Sequence, residues 1–221
     1  MSIHCSIYKN DLSILLIPAK IPLMHTSGSL KIVHAPDPRL RVQTKPVKKI
    51  TLALLQALKD MIKLTKTFKD PEGVGLAATQ VGLKERFFVA RLHDSKKIPP
   101  SNPSQRASRW ANYDKEFMAV INPNILSFSK NTKVYFEGCL SIPNIWGKVR
   151  RHLSIKVSFQ DEEGNLIKKT LIGIPAWIFQ HEVNHLDGIL FSEKVLAQKG
   201  QFYKFTGKDK AGTDTFEEIT I

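Results

Sequence analysis

The chain has 221 residues, 42% of them hydrophobic, and 33 lysines and arginines against 20 acidic residues give it a formal net charge of +13. That length suits one domain with a sizeable core, or a domain plus tails. The two cysteines, Cys5 and Cys139, are too few for a disulfide scaffold, and no apolar run reaches the roughly 18 to 20 residues of a membrane span. The excess of base suits an anionic assembly or plain solubility. Residues 12–23, LSILLIPAKIPL, are interrupted by Pro18, Lys20 and Pro22, and the segment before them is barely basic. Residues 1–30 are therefore expected to be an N-terminal arm or extension, not a signal peptide.

Further along, Leu54, Leu55, Leu58, Met61, Ile62 and Thr65 recur at spacings of three and four, which predicts a packing helix within residues 47–68. GVGLAATQVG (73–82) reads as a small-residue loop and RFFVARL (86–92) as a strand. Residues 93–116, polar and carrying three prolines, are expected to form an exposed insertion. Strands are expected at 117–122, 132–136 and 153–159; DEEGN (161–165) then turns the chain into a return strand at 166–172. Pro175 opens a helix through Asp187, closed by Gly188. The tail 197–221, punctuated by Gly200, Gly207 and Gly212, shows no long amphipathic helix.

The chemistry concentrates in three short stretches. In QHEVNHLDG (180–188), His181 and His185 lie one turn apart, so both imidazoles leave the same face of the helix and can hold one metal ion. Glu182 is rotated about a third of a turn away, placed for proton transfer and not for ligation. A third ligand is required, and Phe191 stands where a metzincin protease would carry its third histidine. Cys139, in EGCLSIP (137–143), is the better candidate. A cysteine before such a turn is otherwise a small buried thiol, but one thiolate with two imidazoles leaves an open position at a tetrahedral ion, the layout of catalytic metal sites. GVGLAATQ (73–80) lacks the Lys-Ser/Thr of a nucleotide-binding loop.

In that order, GVGLAATQ, EGCLS and QHEVNHLDG closely resemble the three signature motifs of the peptide deformylase family, whose members remove the formyl group from nascent polypeptides. PDPRLR (36–41) resembles the family's N-terminal approach, so the resemblance runs from about Ile32 to Val195. It implies an α+β fold, mixed antiparallel sheets around a central helix that carries the two histidines. It also implies a catalytic domain over 31–196 that includes the 93–116 insertion, between the arm and the tail.

The activity so implied is hydrolysis of formyl-Met-peptide to formate and Met-peptide. A divalent ion on Cys139, His181 and His185 would make hydroxide available near neutral pH, with Glu182 as general base and then acid. Gln80 and the backbone N–H of Leu140 would stabilise the oxyanion. Iron(II) is the usual physiological ion of the family, with zinc, nickel or cobalt accepted. The preference for formyl-methionine implies an apolar pocket at Val74, Ile178 and His181, near Trp177 and Ile174, with Gly73 and Gly75 admitting the substrate backbone. Ordinary core packing explains Ile174 and Trp177 equally well. The resemblance further implies nascent-peptide substrates, a transient ribosome contact and a cytoplasmic location. Two departures stand out. Asn184 replaces the family's usual aspartate, so its partner, with Arg151 the candidate, is expected to be weakened or rearranged; Trp146 stands where a polar or basic residue is expected. A zinc endopeptidase and a relative without turnover remain the alternatives.

Overall fold

The computed structural model describes residues 30–69, 72–92 and 117–220; the proposed N-terminal arm up to Ser29 and the 93–116 insertion lie outside them. Helix α1 spans Leu52–Thr67, five residues inside the start of the sequence estimate, because Thr51 caps it by accepting the Leu54 N–H. Val47 cannot join the helix. Its N–H and carbonyl are both taken by the side chain of Asn122, at 2.8 and 2.9 Å. The apolar stripe turns inward as the spacing requires, with Leu54, Leu58, Met61 and Thr65 buried.

One sheet has five strands in the order β1-β2-β3-β6-β7: β1 (Gly75–Ala77), β2 (Phe87–Arg91), β3 (Phe117–Phe128), β6 (Ser154–Gln160) and β7 (Leu166–Ile172). All its pairings are antiparallel. Strand β2 is buried along its whole length, since both α1 and the second helix contact it, so it shows no alternation. Strand β3 continues well past the predicted 122 and carries Pro123; the ladder shifts register between Ile121 and Asn124, where a missing N–H does no harm.

The second sheet has four strands in the order β4-β5-β8-β9, all antiparallel. Strand β4 (Thr132–Cys139) runs three residues past its predicted end and delivers Cys139 at its terminus. Strand β5 (Ile142–His152) has an exposed proline, Pro143, as its second residue and contains Gly147, features that hid it as a strand. In the tail, Phe202–Lys208 (β8) and Asp214–Ile219 (β9) form an antiparallel hairpin whose first strand pairs with β5.

Helix α2 (Ile174–Leu186) lies between these sheets, touching β1, β2 and β7 of one and β5 of the other. Ten of its thirteen residues are buried, including Gln180, His181, Glu182 and His185. Pro175 occupies its first turn, and Gly188 comes just past its end with φ 74°. A short helix α3 (Phe191–Ala197), which no sequence signal predicts, buries Phe191 and Val195 against Val149 and Phe202 of the second sheet. The main core gathers Phe87, Phe88, Phe159, Phe179, Leu171 and Leu186 around α2. This is the α+β arrangement expected: antiparallel sheets about a central histidine-bearing helix.

Candidate active site

Three segments distant in sequence meet at the buried flank of α2. Cys139 Sγ from the end of β4 lies 3.2 Å from His185 Nε2. One ligand atom from each of Cys139, His181 and His185 falls within 4.8 Å of the others, as a single metal ion requires.

The surroundings select which atoms of these ligands are free. Glu137 Oε2 lies 2.9 Å from His181 Nδ1, so Nδ1 carries the proton and Nε2 faces the site. Glu137 is itself fully buried and clamped by Arg151, whose Nε and Nη2 donate to its two oxygens at 2.7 and 2.8 Å. Burial alone would raise the Glu137 carboxyl; hydrogen bonds from Arg151 and His181 overcome it and bring the pKa down to about 2. Burial likewise opposes charge on His181, yet without an ion Cys139 and Glu137 favour the imidazolium and lift its pKa to about 10; a metal ion on Nε2 would displace that second proton. For His185 burial prevails and its pKa is held well below 6.5, so it is a neutral donor.

Glu182 lies on the same helix with Oε2 buried and lacking any hydrogen-bond partner among the described residues. Burial raises its carboxyl to about 7, the range in which one group can both take and return a proton. Its neighbour is Gly75, where an added Cβ would stand 2.3 Å from Glu182 Oε1. A glycine at 75 is thus a condition for the carboxylate to sit where it does. An unpartnered buried carboxyl oxygen beside one cysteine sulfur and two histidine rings makes a donor set that fits a catalytic divalent ion.

The glycine-rich segment, expected as a loop, forms β1 followed by a 3-10 turn at Ala78–Val81. Within it the Gln80 amide is oriented by its own chain: Oε1 accepts the Ala77 N–H at 2.8 Å, which leaves Nε2 to point at Cys139 Sγ (3.4 Å) and Ser141 Oγ (3.2 Å). A cavity of about 150 Å3 opens beside these groups. Gly73, Val74, Gly75, Gln80, Cys139, Leu140, Ile178, His181 and Glu182, all singled out in the sequence, line it; His185 is not among the lining residues but adjoins Cys139. Trp177 lines it too, stacked on Tyr135 at 5.2 Å between centroids, whereas Ile174 packs against the core.

With three motifs and one ion site in this arrangement, the comparisons with known proteins become decisive. The sequence model for polypeptide deformylase matches residues 29–201. The chain belongs to the peptide deformylase family. It is 37% identical over 163 residues to the peptide deformylase of Thermotoga neapolitana, covering 74% of this chain and 85% of that one. The crystal structure of the Thermotoga maritima peptide deformylase superposes with a TM-score of 0.60 at 36% identity, over 76% of this chain and 97% of the other. A Met-Ala-Ser-bound peptide deformylase from Acinetobacter baumannii gives 0.60 at 30% identity, over 76% and 99%. This deformylase is a metallohydrolase with a Cys-His-His metal site.

Sequence reasoning missed Glu137 in the deformylase, although it stands two residues before Cys139 in EGC, the strand spacing that turns it towards α2. For Asn184 it expected a weakened or rearranged partner, with Arg151 the candidate. Arg151 is that partner: its Nη1 donates to Asn184 Oδ1, while its Nε and Nη2 are held by Glu137. No helix among the described residues is long and apolar enough to cross a membrane.

Proposed function

We propose that this deformylase removes the formyl group from the N-terminal methionine of nascent peptides, its residues dividing the labour. Cys139, His181 and His185 hold one divalent ion, in the cell iron(II), with zinc, nickel or cobalt able to replace it. When bound, the ion supplies Lewis acidity that brings the pKa of a water towards neutrality. Glu182 takes the proton of the attacking water as its oxygen joins the formyl carbon. It then passes that proton to the amine nitrogen as the C–N bond breaks, releasing formate and Met-peptide. Gln80 Nε2 and the backbone N–H of Leu140 donate to the oxygen on which charge develops; losing one such donor costs about 2.7–4 kcal/mol in the transition state.

Glu137 and Arg151 act through His181, fixing its tautomer and ring plane. Val74, Ile178 and His181 form the seat of the methionine side chain, and the small residues Gly73 and Gly75 let the peptide backbone approach. The buried, unpartnered Glu182 carboxylate, with its pKa near 7, carries this reading. The net charge of +13 supports transient contact with the ribosome in a cytoplasmic setting.

The test is formate release by anaerobically purified, iron(II)-loaded protein from formyl-Met-Ala-Ser, set beside acetyl-Met-Ala-Ser and the unblocked peptide. Release from the formyl peptide alone is expected. Cleavage of internal bonds instead would make the protein an endopeptidase, and no turnover of any peptide would make it a binding relative.

A further inference from the structure

The family match ends at residue 201, yet the hairpin beyond it packs against Trp146, a residue of the cleft wall. Trp146, on β5, lines the cavity together with Gly138 of β4, its partner in the strand register. The indole lies directly over that glycine: a Cβ at residue 138 would stand 2.8 Å from the ring. Gly138 immediately precedes Cys139, so the ring borders the cleft one residue from a metal ligand.

One of the two rings that pack on the indole, and the rings behind them, come from beyond the family match. Trp146 stacks on Phe136 with centroids 5.3 Å apart and planes at 15°, and receives the edge of Phe216 at 5.5 Å and 72°. Phe136 in turn meets Phe216 and Tyr203 edge-on, at 4.9 and 5.2 Å. Phe205 closes the group against Phe216 at 5.7 Å. Tyr203 and Phe205 are on β8 and Phe216 on β9, and Tyr203 is the register partner of Trp146. Offset-stacked and edge-to-face contacts of this kind restrict a ring that would otherwise swing into solvent.

We infer that the C-terminal hairpin β8–β9 backs the substrate cleft, holding Trp146 as an aromatic wall that selects apolar side chains beyond the first residue of the peptide. The inference rests on the deformylase reading for the direction of the chain: the first residue occupies the seat at Val74 and Ile178 beside the metal site, and the wall receives the second or third. An indole face offers broad apolar contact, no hydrogen-bond donor and a negative quadrupole, so aromatic and aliphatic side chains gain from it and a carboxylate does not. Trp146 touches substrate; Phe216 is a positioning residue that acts through it.

Two readouts on metal-loaded, full-length protein test this. One is kcat/KM for formyl-Met-Phe-Ser against formyl-Met-Asp-Ser, and for formyl-Met-Ala-Phe against formyl-Met-Ala-Asp. The other is the calorimetric affinity for the corresponding unformylated peptides. The wild type is expected to favour phenylalanine over aspartate at one of these positions by about tenfold or more in both readouts, the scale of apolar-pocket discrimination. Trp146→Ala should bring that ratio close to one, Phe216→Ala should lower it part of the way, and Phe216→Leu should retain most of it. A wild-type ratio near one at both positions, or a ratio that survives Trp146→Ala, overturns the inference. A general loss of activity that leaves the ratio intact in Phe216→Ala would assign the hairpin a purely structural role and overturn it as well. Failure to release formate from any formyl peptide bears on the catalytic reading alone, because the peptide affinities still decide whether the wall selects.

Discussion

Strand β4 serves the two sides of this deformylase by different physics. On the side facing α2, Tyr135 stacks on Trp177 and Glu137 joins Arg151 to His181, in a buried network where the Glu137 carboxylate is held from both ends. On the other side, Phe136 and Gly138 meet half-buried rings from β5, β8 and β9. The first arrangement fixes charge and proton positions, and a buried charge whose partner is removed is costly. The second fixes a shape through contacts that are individually small and can be replaced by other apolar groups. Damage on the α2 side should therefore be abrupt, and on the aromatic side graded.

Substitutions can break that contrast in descending order of effect. Cys139→Ala should abolish metal retention and with it turnover, read as metal content per protein after gel filtration. Glu182→Gln should keep near-normal metal content while kcat falls about 10²–10⁴-fold, the usual contribution of a positioned acid–base group; a Glu182→Gln protein with near-normal turnover would remove Glu182 from the mechanism. Glu137→Ala strands the Arg151 guanidinium in the interior and should destabilise the protein by about 3–5 kcal/mol in denaturant titration. Its milder counterpart, Glu137→Gln, should weaken metal affinity about 10- to 100-fold through the misdirected His181 ring.

The same residue sets an acid limb. The Glu137 pKa is depressed from 4.5 to about 2 on folding. Its contribution to stability is thus complete above about 4.5 and is lost as the pH falls towards 2. Thermal melts across that window should drop in the wild type and flatten in Glu137→Gln. At the smallest end, Asn184→Asp should change stability by about 1–2 kcal/mol, since it adds a charge to a contact with Arg151 that is already made. On the aromatic side, Phe205→Leu should cost no more than about 1.5 kcal/mol, the value of one ring pair; a loss as large as that of Glu137→Ala would erase the distinction between the two faces.

Local rules made much of this molecule readable in advance. Helix α1 follows from its three-and-four spacing, α2 from Pro175 and Gly188, and the β6–β7 hairpin from DEEGN between alternating strands. The metal ligands were equally legible, because i, i+4 histidines share a helix face wherever the helix sits, and a thiolate completes their set. Partnership across the fold is carried by no local pattern. That Glu137 turns towards α2 depends on β4 continuing to Cys139, and that Arg151 reaches both Glu137 and Asn184 depends on β5, a strand masked by its proline and glycine. The pKa near 7 of Glu182 comes from burial by the assembled sheets, not from its neighbours in sequence. The hairpin at the C-terminus looked like a tail for the same reason. Its aromatic residues are a weak strand signal by themselves and acquire a purpose only where β5 brings Trp146 to meet them, since ring packing is decided by three-dimensional proximity that sequence spacing does not encode.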